Sequence, residues 1–367
     1  MGVGVSAHRL AGTVAREGAV GTISSVDLRR HHKDLMAQTG KSRDKDKINA
    51  ANLVALDREI RAARSLAGGN GLIAVNVMRA VAEYAAYVRQ ACESGADVVV
   101  VGAGLPLDLP ELAAGYPDTA LVPILSDVRG ISLVLKKWMR KNRLPDAIVI
   151  ENPQYAGGHL GAASLDSIND PHFAFATVLD GTLALFRELG IESERIPLIT
   201  AGGISSHEQV CHLLGLGASA VQLGTPFAVT IEGDAHANFK QVLVDARPED
   251  IVTFMSVAGL PARAVKTPWL SNYLDKEAKL QRKAGPKACT VGFDCLHQCG
   301  LRDGLAKAGQ FCIDTQLAFA MNGDVKRGLF FRGAERLPFG DAIRSVSELI
   351  NYLLHGIRPP MLQAGMP

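Results

Sequence analysis

Residues Ala96–Pro106 read ADVVVVGAGLP, an apolar run that passes directly into a glycine-containing turn. A strand with one face in water alternates apolar and polar residues, whereas a strand buried on both faces reads as an unbroken apolar run. Six more runs rich in Val, Ile and Leu repeat the pattern: Val20–Ser24 (VGTIS), Leu72–Val77 (LIAVNV), Ala120–Leu125 (ALVPIL), Ala147–Ile150 (AIVI), Pro197–Thr200 (PLIT) and Ala220–Leu223 (AVQL). A segment of helical period follows each of them. Strands that alternate with crossover helices predict an all-parallel α/β fold.

Seven such units, over a span near the ~250 residues of a typical (β/α)8 barrel, read as a TIM barrel whose first strand is missing from the chain. MGVGVS, Met1–Ser6, then resembles the loop after that strand, because a helical segment begins at Ala7. An open doubly wound sheet is the alternative. On this reading residues 1–249 form the barrel, and the charged stretch 26–47 (VDLRRHHKDLMAQTGKSRDKDK) is an exposed insertion. Its neighbouring His31 and His32 point in different directions on a helix, which favours solvated side chains over a metal pair. Residues 250–367 lose the rhythm of alternating strand and helix. They are expected to form a mainly helical extension packed on the barrel, with helices near Leu270–Lys283 and Asp341–Leu354.

Charge and hydropathy narrow the partners. The 39 Lys+Arg and 37 Asp+Glu leave a formal charge of +2, with neither sign gathered into a block that would track a phosphate backbone, so no nucleic acid is expected. No apolar run approaches the ~20 residues that cross a bilayer, and no basic segment followed by an apolar one opens the chain. A cytoplasmic location without a membrane partner is the expectation. MGVGVS does fit the N-myristoylation pattern, but that pattern is short and recurs by chance.

Barrel enzymes gather ligands at the C-terminal ends of their strands, with a phosphate commonly held after the seventh and eighth. TAGGIS (Thr200–Ser205) and QLGTPF (Gln222–Phe227) occupy those two places. Gly202 and Gly203 let a backbone approach an anion closely, while Gly224 and the Thr225 hydroxyl add donors. Ordinary turns between strand and helix are the plain alternative, and two glycine-bearing loops in both expected places favour phosphate.

These same motifs, AGGI and VQLGTPF together with VNVM, AGGHLG and GLPARAVKTPWL, resemble the nitronate monooxygenase (2-nitropropane dioxygenase) family of FMN-dependent barrel oxidoreductases. The resemblance spans most of Met1–Leu270. It implies non-covalent FMN contacted by Met1, Gly2, Asn76, Gly157, Gly158, Ala201, Gly202, Gly203, Gln222, Gly224 and Thr225, with His159 as the active-site histidine. It also implies that an alkyl nitronate is oxidised by dioxygen to a carbonyl compound and nitrite. Flavin-dependent enoyl reductases and NAD(P)H:quinone reductases are similar in scaffold and motifs, so a reductase that takes electrons from NAD(P)H is the runner-up. An unclosed barrel would expose two strand edges, which is compatible with a homo-oligomer.

From the residues alone, Asn76 is as much a helix cap as a flavin contact. His159 is a lone histidine among glycines, a type more often structural than catalytic. Its ordinary pKa near ~6.5 nevertheless suits it to move a proton or to steady an anion, and the family match tips the reading to catalysis. Gly102, Ala103, Gly104, Ser126 and Asp127 end two strands and are expected on the substrate side. Lys136 lies in a basic amphipathic stretch and is expected in water. Cys289, Cys295, Cys299 and Cys312 have C-x5-C-x3-C-x12-C spacing without the C-x2-C pairs of common metal sites. Reduced structural cysteines are therefore preferred to a zinc, iron-sulfur or redox site, and a non-catalytic metal module is the remote alternative. Barrel dehydrogenases of purine nucleotides carry a cysteine in the loop equivalent to Glu151–Asp170, and this chain has none there.

Overall fold

In the computed structural model, which describes residues 3–360, seven strands form one parallel sheet. They are β1 (Val20–Ser24), β2 (Leu72–Met78), β3 (Val98–Gly102), β4 (Ala120–Leu125), β5 (Ile148–Glu151), β7 (Leu198–Ala201) and β8 (Ala220–Gln222), and they pair in that order. Every expected strand is present within about two residues of its expected ends. In β3 the alternate residues divide between two cores: Val99 and Val101 face the surrounding helices, while Val98 and Val100 join Ala74, Val122 and Val149 inside the curled sheet. Burial on both faces is why the run is valine throughout.

The sheet curls without closing, and β8 does not pair with β1 among the described residues. The free side of β1 is covered instead by the segment before the helix His8–Arg16, where Ser24 N donates to Ser6 O at 3.0 Å and Ser6 Oγ to Thr22 O at 2.6 Å. Gly21 has no room for a side chain there, because a Cβ would run into the Ala11 carbonyl.

The stretch 26–47 is the exposed insertion expected from its charge only in part, at Lys33, Asp34 and residues 43–47 among others. Asp27, Leu28, Arg29, Leu35 and Thr39 are buried. The charges satisfy one another: Arg29 Nε lies 2.8 Å from Asp27 Oδ1, Arg29 Nη1 donates to Thr39 Oγ1 at 2.9 Å, and Arg30 bridges Asp27 and Asp314, the latter at 2.7 Å. His31 and His32 do diverge, to the Gly4 carbonyl at 2.9 Å and to Glu59 at 3.0 Å. Burial, and then the nearby Asp27 charge, push Asp314 up to about 7. Replacing Arg30 with Met should therefore destabilise the fold by about 1–3 kcal/mol in chemical denaturation at about pH 8–9, where Asp314 is ionised beside its cation. The loss should shrink near about pH 5, because a carboxyl whose folded pKa is raised is protonated there and needs no cation.

The C-terminal region, expected to be mainly helical, also contains strands. The helices Pro268–Arg282 and Val346–His355 are present, but residues 251–265 form a hairpin, β9 (Ile251–Met255) and β10 (Pro261–Val265), and β10 pairs antiparallel with the two-residue β6 (Gly158–His159). A further segment bonds to the loop after β2, with His297 N donating to Ala80 O at 2.9 Å and Ala82 N to Cys295 O at 3.3 Å. Lys136 is half exposed and lies 3.8 Å from Glu188 on the neighbouring helix.

Candidate active site

At the C-terminal ends of β1 and β2 a narrow cleft, with about 30 Å³ of free volume, lies between the barrel and the C-terminal region. Val26 and Met78 contribute from the barrel side; Cys295, Asp314 and Phe331 contribute from the other, and His159 stands between them. The histidine is fixed by its strand, in which it pairs with Ala262. Its Nε2 lies 2.7 Å from Ser256 Oγ in the turn between β9 and β10, and the Phe331 ring centre is 5.7 Å from its own. The protein packed around the ring pushes its pKa down to about 4 by burial, so the imidazole is neutral at pH 7.

The glycines beside it have steric reasons. Gly158 has φ +74°, and a Cβ on Gly157 would come within 2.5 Å of the Arg332 carbonyl carbon and the Gly333 nitrogen. The strap Phe331–Ala334 passes over this loop, and Ala334 N donates to Tyr155 O at 3.0 Å. From below, buried Arg263 donates through Nη1 to Pro153 O at 3.1 Å and to Ala156 O.

The two loops expected to hold phosphate lie beside this strap. Gly202 and Gly203 adopt φ +97° and +77°, and a Cβ on Gly203 would meet Tyr155 at 2.5 Å. Gly224 is different, because a Cβ there would meet nothing within 4 Å. The N–H groups of Gly203 and Gly224 have no hydrogen-bond partner among the described residues. Thr225 Oγ1 accepts from Gly333 N at 3.0 Å and keeps its own proton to donate. Free donors, with open space at Gly224, fit a phosphate monoester such as that of FMN.

Ala201 is buried at the end of β7, and Gln222 is half-buried at the end of β8. Asn76 lies near the end of β2, half-buried, and its side-chain amide has no partner among the described residues. It does not cap the next helix, Tyr84–Glu93, whose cap is Glu83. Met1 and Gly2 lie outside the described residues.

The expected substrate-side residues lie elsewhere than the cleft. Ser126 packs on Gly161, Asp127 spends its carboxylate capping the helix Val128–Met139 through Gly130 N at 2.6 Å, and Gly102 O accepts from Arg79 N at 2.8 Å. Ala103 has φ +54° and Gly104 φ +131°, so the turn after β3 is left-handed. All six cysteines are free thiols, Cys289 donating to Phe293 O at 3.0 Å. Among the described residues, no three His, Cys, Asp or Glu side chains are grouped as a metal would require.

Sequence reading missed Ser256 and Arg263, which lie in or beside GLPARAVKTPWL, and Glu151, whose carboxyl at the end of β5 is pushed up to about 7 by burial. The first two carry no signal in their own neighbourhood. Glu151 does carry one, as a charge that ends an apolar strand.

The sequence pattern that describes the nitronate monooxygenase family matches residues 1–356. The chain belongs to that family. Among its relatives, the nitronate monooxygenase of Pseudomonas aeruginosa is 34% identical over 120 residues, 33% of this chain and 31% of that one. A probable nitronate monooxygenase of Bacillus subtilis is 30% identical over 139 residues, 38% and 37% of the two chains. The matched part thus spans about a third of the length of these curated relatives. Solved structures share the fold over nearly the whole chain. A nitroalkane oxidase from Streptomyces ansochromogenes has a TM-score of 0.64 at 19% identity, covering 96% of this chain and 92% of that one. FabK from Thermotoga maritima has 0.62 at 21%, covering 96% and 90%. No helix among the described residues of this nitronate monooxygenase family member is long and apolar enough to cross a membrane.

Proposed function

We propose that this chain is an FMN-dependent nitronate monooxygenase, which oxidises an alkyl nitronate with dioxygen to a carbonyl compound and nitrite. The reading is carried by one arrangement: glycine loops with free donors and a neutral histidine are joined by the strap 331–334, in a chain of this family. Gly203, Gly224 and Thr225 would hold the FMN phosphate, and the Asn76 amide would offer donor and acceptor to the ring edge. FMN supplies the redox chemistry when bound. The chain's own part is to place the substrate: Val26, Val81 and Phe331 shed water from its alkyl group, and His159 meets its charged end.

The runner-up is a reductase that passes electrons from NAD(P)H to a quinone or an enoyl thioester. It draws support from the fold shared with FabK and with the enoyl reductase domain of MlnA from Bacillus amyloliquefaciens, TM-score 0.56 over 79% of this chain and 67% of that one. Stopped-flow reduction of the bound flavin without oxygen separates the two. Propyl-2-nitronate should reduce it at least roughly tenfold faster than NADH or NADPH, a difference of about 1.4 kcal/mol in barrier. Faster reduction by either nicotinamide would replace the proposal with the reductase.

A further inference from the structure

We propose that Ser256 fixes His159 as the Nδ1–H tautomer, which makes the histidine a hydrogen-bond donor to an already ionised nitronate and not a base for a neutral nitroalkane. The clause about substrate rests on the nitronate reading above; the clause about the tautomer does not.

Ser256 is fully buried, and its Oγ accepts from Ala258 N at 3.3 Å. That leaves the hydroxyl proton, which a buried group must place on an acceptor. The acceptor in reach is His159 Nε2 at 2.7 Å. A nitrogen that accepts a hydrogen bond carries no proton, so the proton of a neutral ring sits on Nδ1. Nδ1 has no hydrogen-bond partner among the described residues, while the ring borders the cleft. The ring therefore presents an N–H to the substrate.

This arrangement suits one ionisation state of a nitro compound. The oxygens of a nitronate accept hydrogen bonds, and an Nδ1 proton on a ring that lines the cleft is a donor for them. Oxidation of a neutral nitroalkane first needs a proton removed from carbon. Neither ring lone pair is free for that, because Nδ1 bears a proton and Nε2 is engaged by Ser256. Shifting the proton to Nε2 would reverse the Ser256 bond and strand its hydroxyl hydrogen without an acceptor, which disfavours base catalysis by roughly tenfold or more. Sequence distance hides the pair, since the two residues are 97 positions apart.

Nitrogen-15 NMR of the flavin-loaded protein, with the His159 signals assigned by their loss in His159→Asn, reads the tautomer directly. The expected spectrum has a protonated Nδ1 and an unprotonated Nε2; a protonated Nε2 overturns the proposal. Ser256→Ala should relax the ring to a mixture of tautomers and raise turnover of 2-nitropropane relative to propyl-2-nitronate by about tenfold. Ser256→Thr, which keeps the hydroxyl, should retain the wild-type spectrum and ratio. An unchanged tautomer in Ser256→Ala overturns the role of Ser256, whatever the rates do. A wild-type protein that shows the expected tautomer but oxidises neither compound would remove the nitronate reading and leave the tautomer standing.

Discussion

His159→Ala should keep FMN bound and lower kcat/KM for propyl-2-nitronate by about 10²–10³-fold, the usual scale for removing one positioned donor from a developing charge. The cofactor should stay because the phosphate donors proposed for it, Gly203 and Gly224, stand on the loops after β7 and β8 and owe nothing to the imidazole. His159→Asn should recover part of the loss, because an amide N–H can stand roughly where Nδ1–H stands. The pH profile gives an independent check. Burial holds the imidazole down to about 4, so the wild-type rate on the nitronate should show no histidine inflection between about pH 6 and 7. Flavin content is read from absorbance and activity from oxygen uptake. Equal rates for wild type and His159→Ala would reduce the histidine to a loop residue.

The parallel sheet was legible because two-sided burial leaves an unbroken apolar run, as in Val98–Val101, and the turn after β7 was legible because the positive φ of Gly202 and Gly203 favours glycine. What was not legible depends on partners far away in sequence. The two residues of β6 carry no strand signal and become a strand through Ala262 and Arg263, about a hundred positions later. Ser256 gains its meaning from the same pairing. The stretch 26–47 misled in part, and for a different reason: composition shows that charges are present, not that Asp27, Arg29 and Arg30 neutralise one another and reach Asp314. Local pattern thus fixes which faces are buried, while reciprocal charge and cross-strand pairing decide what a polar segment does.

The same distinction governs how the proposed phosphate site is best tested. Gly203→Asp would add a charge where FMN is expected, but the residue has φ +77° and its new Cβ would meet Tyr155 at 2.5 Å, so loss of flavin there would mix steric damage with repulsion. Gly224 separates the two. Its φ is −106°, acceptable to any residue, and a Cβ would enter open space. Gly224→Asp should therefore fold with wild-type thermal stability in the flavin-free form and yet lose FMN affinity by roughly 10²-fold or more, since its carboxylate would set like charge beside a dianionic phosphate. Gly224→Ala, which adds the bulk without the charge, should bind FMN within about tenfold of wild type. Riboflavin, which has no phosphate, supplies the decisive contrast, because its affinity should be nearly the same in wild type and Gly224→Asp. Equal loss of FMN and riboflavin would place the damage at the ring and remove Gly224 from the phosphate site; wild-type FMN affinity in Gly224→Asp would remove the phosphate from this loop altogether.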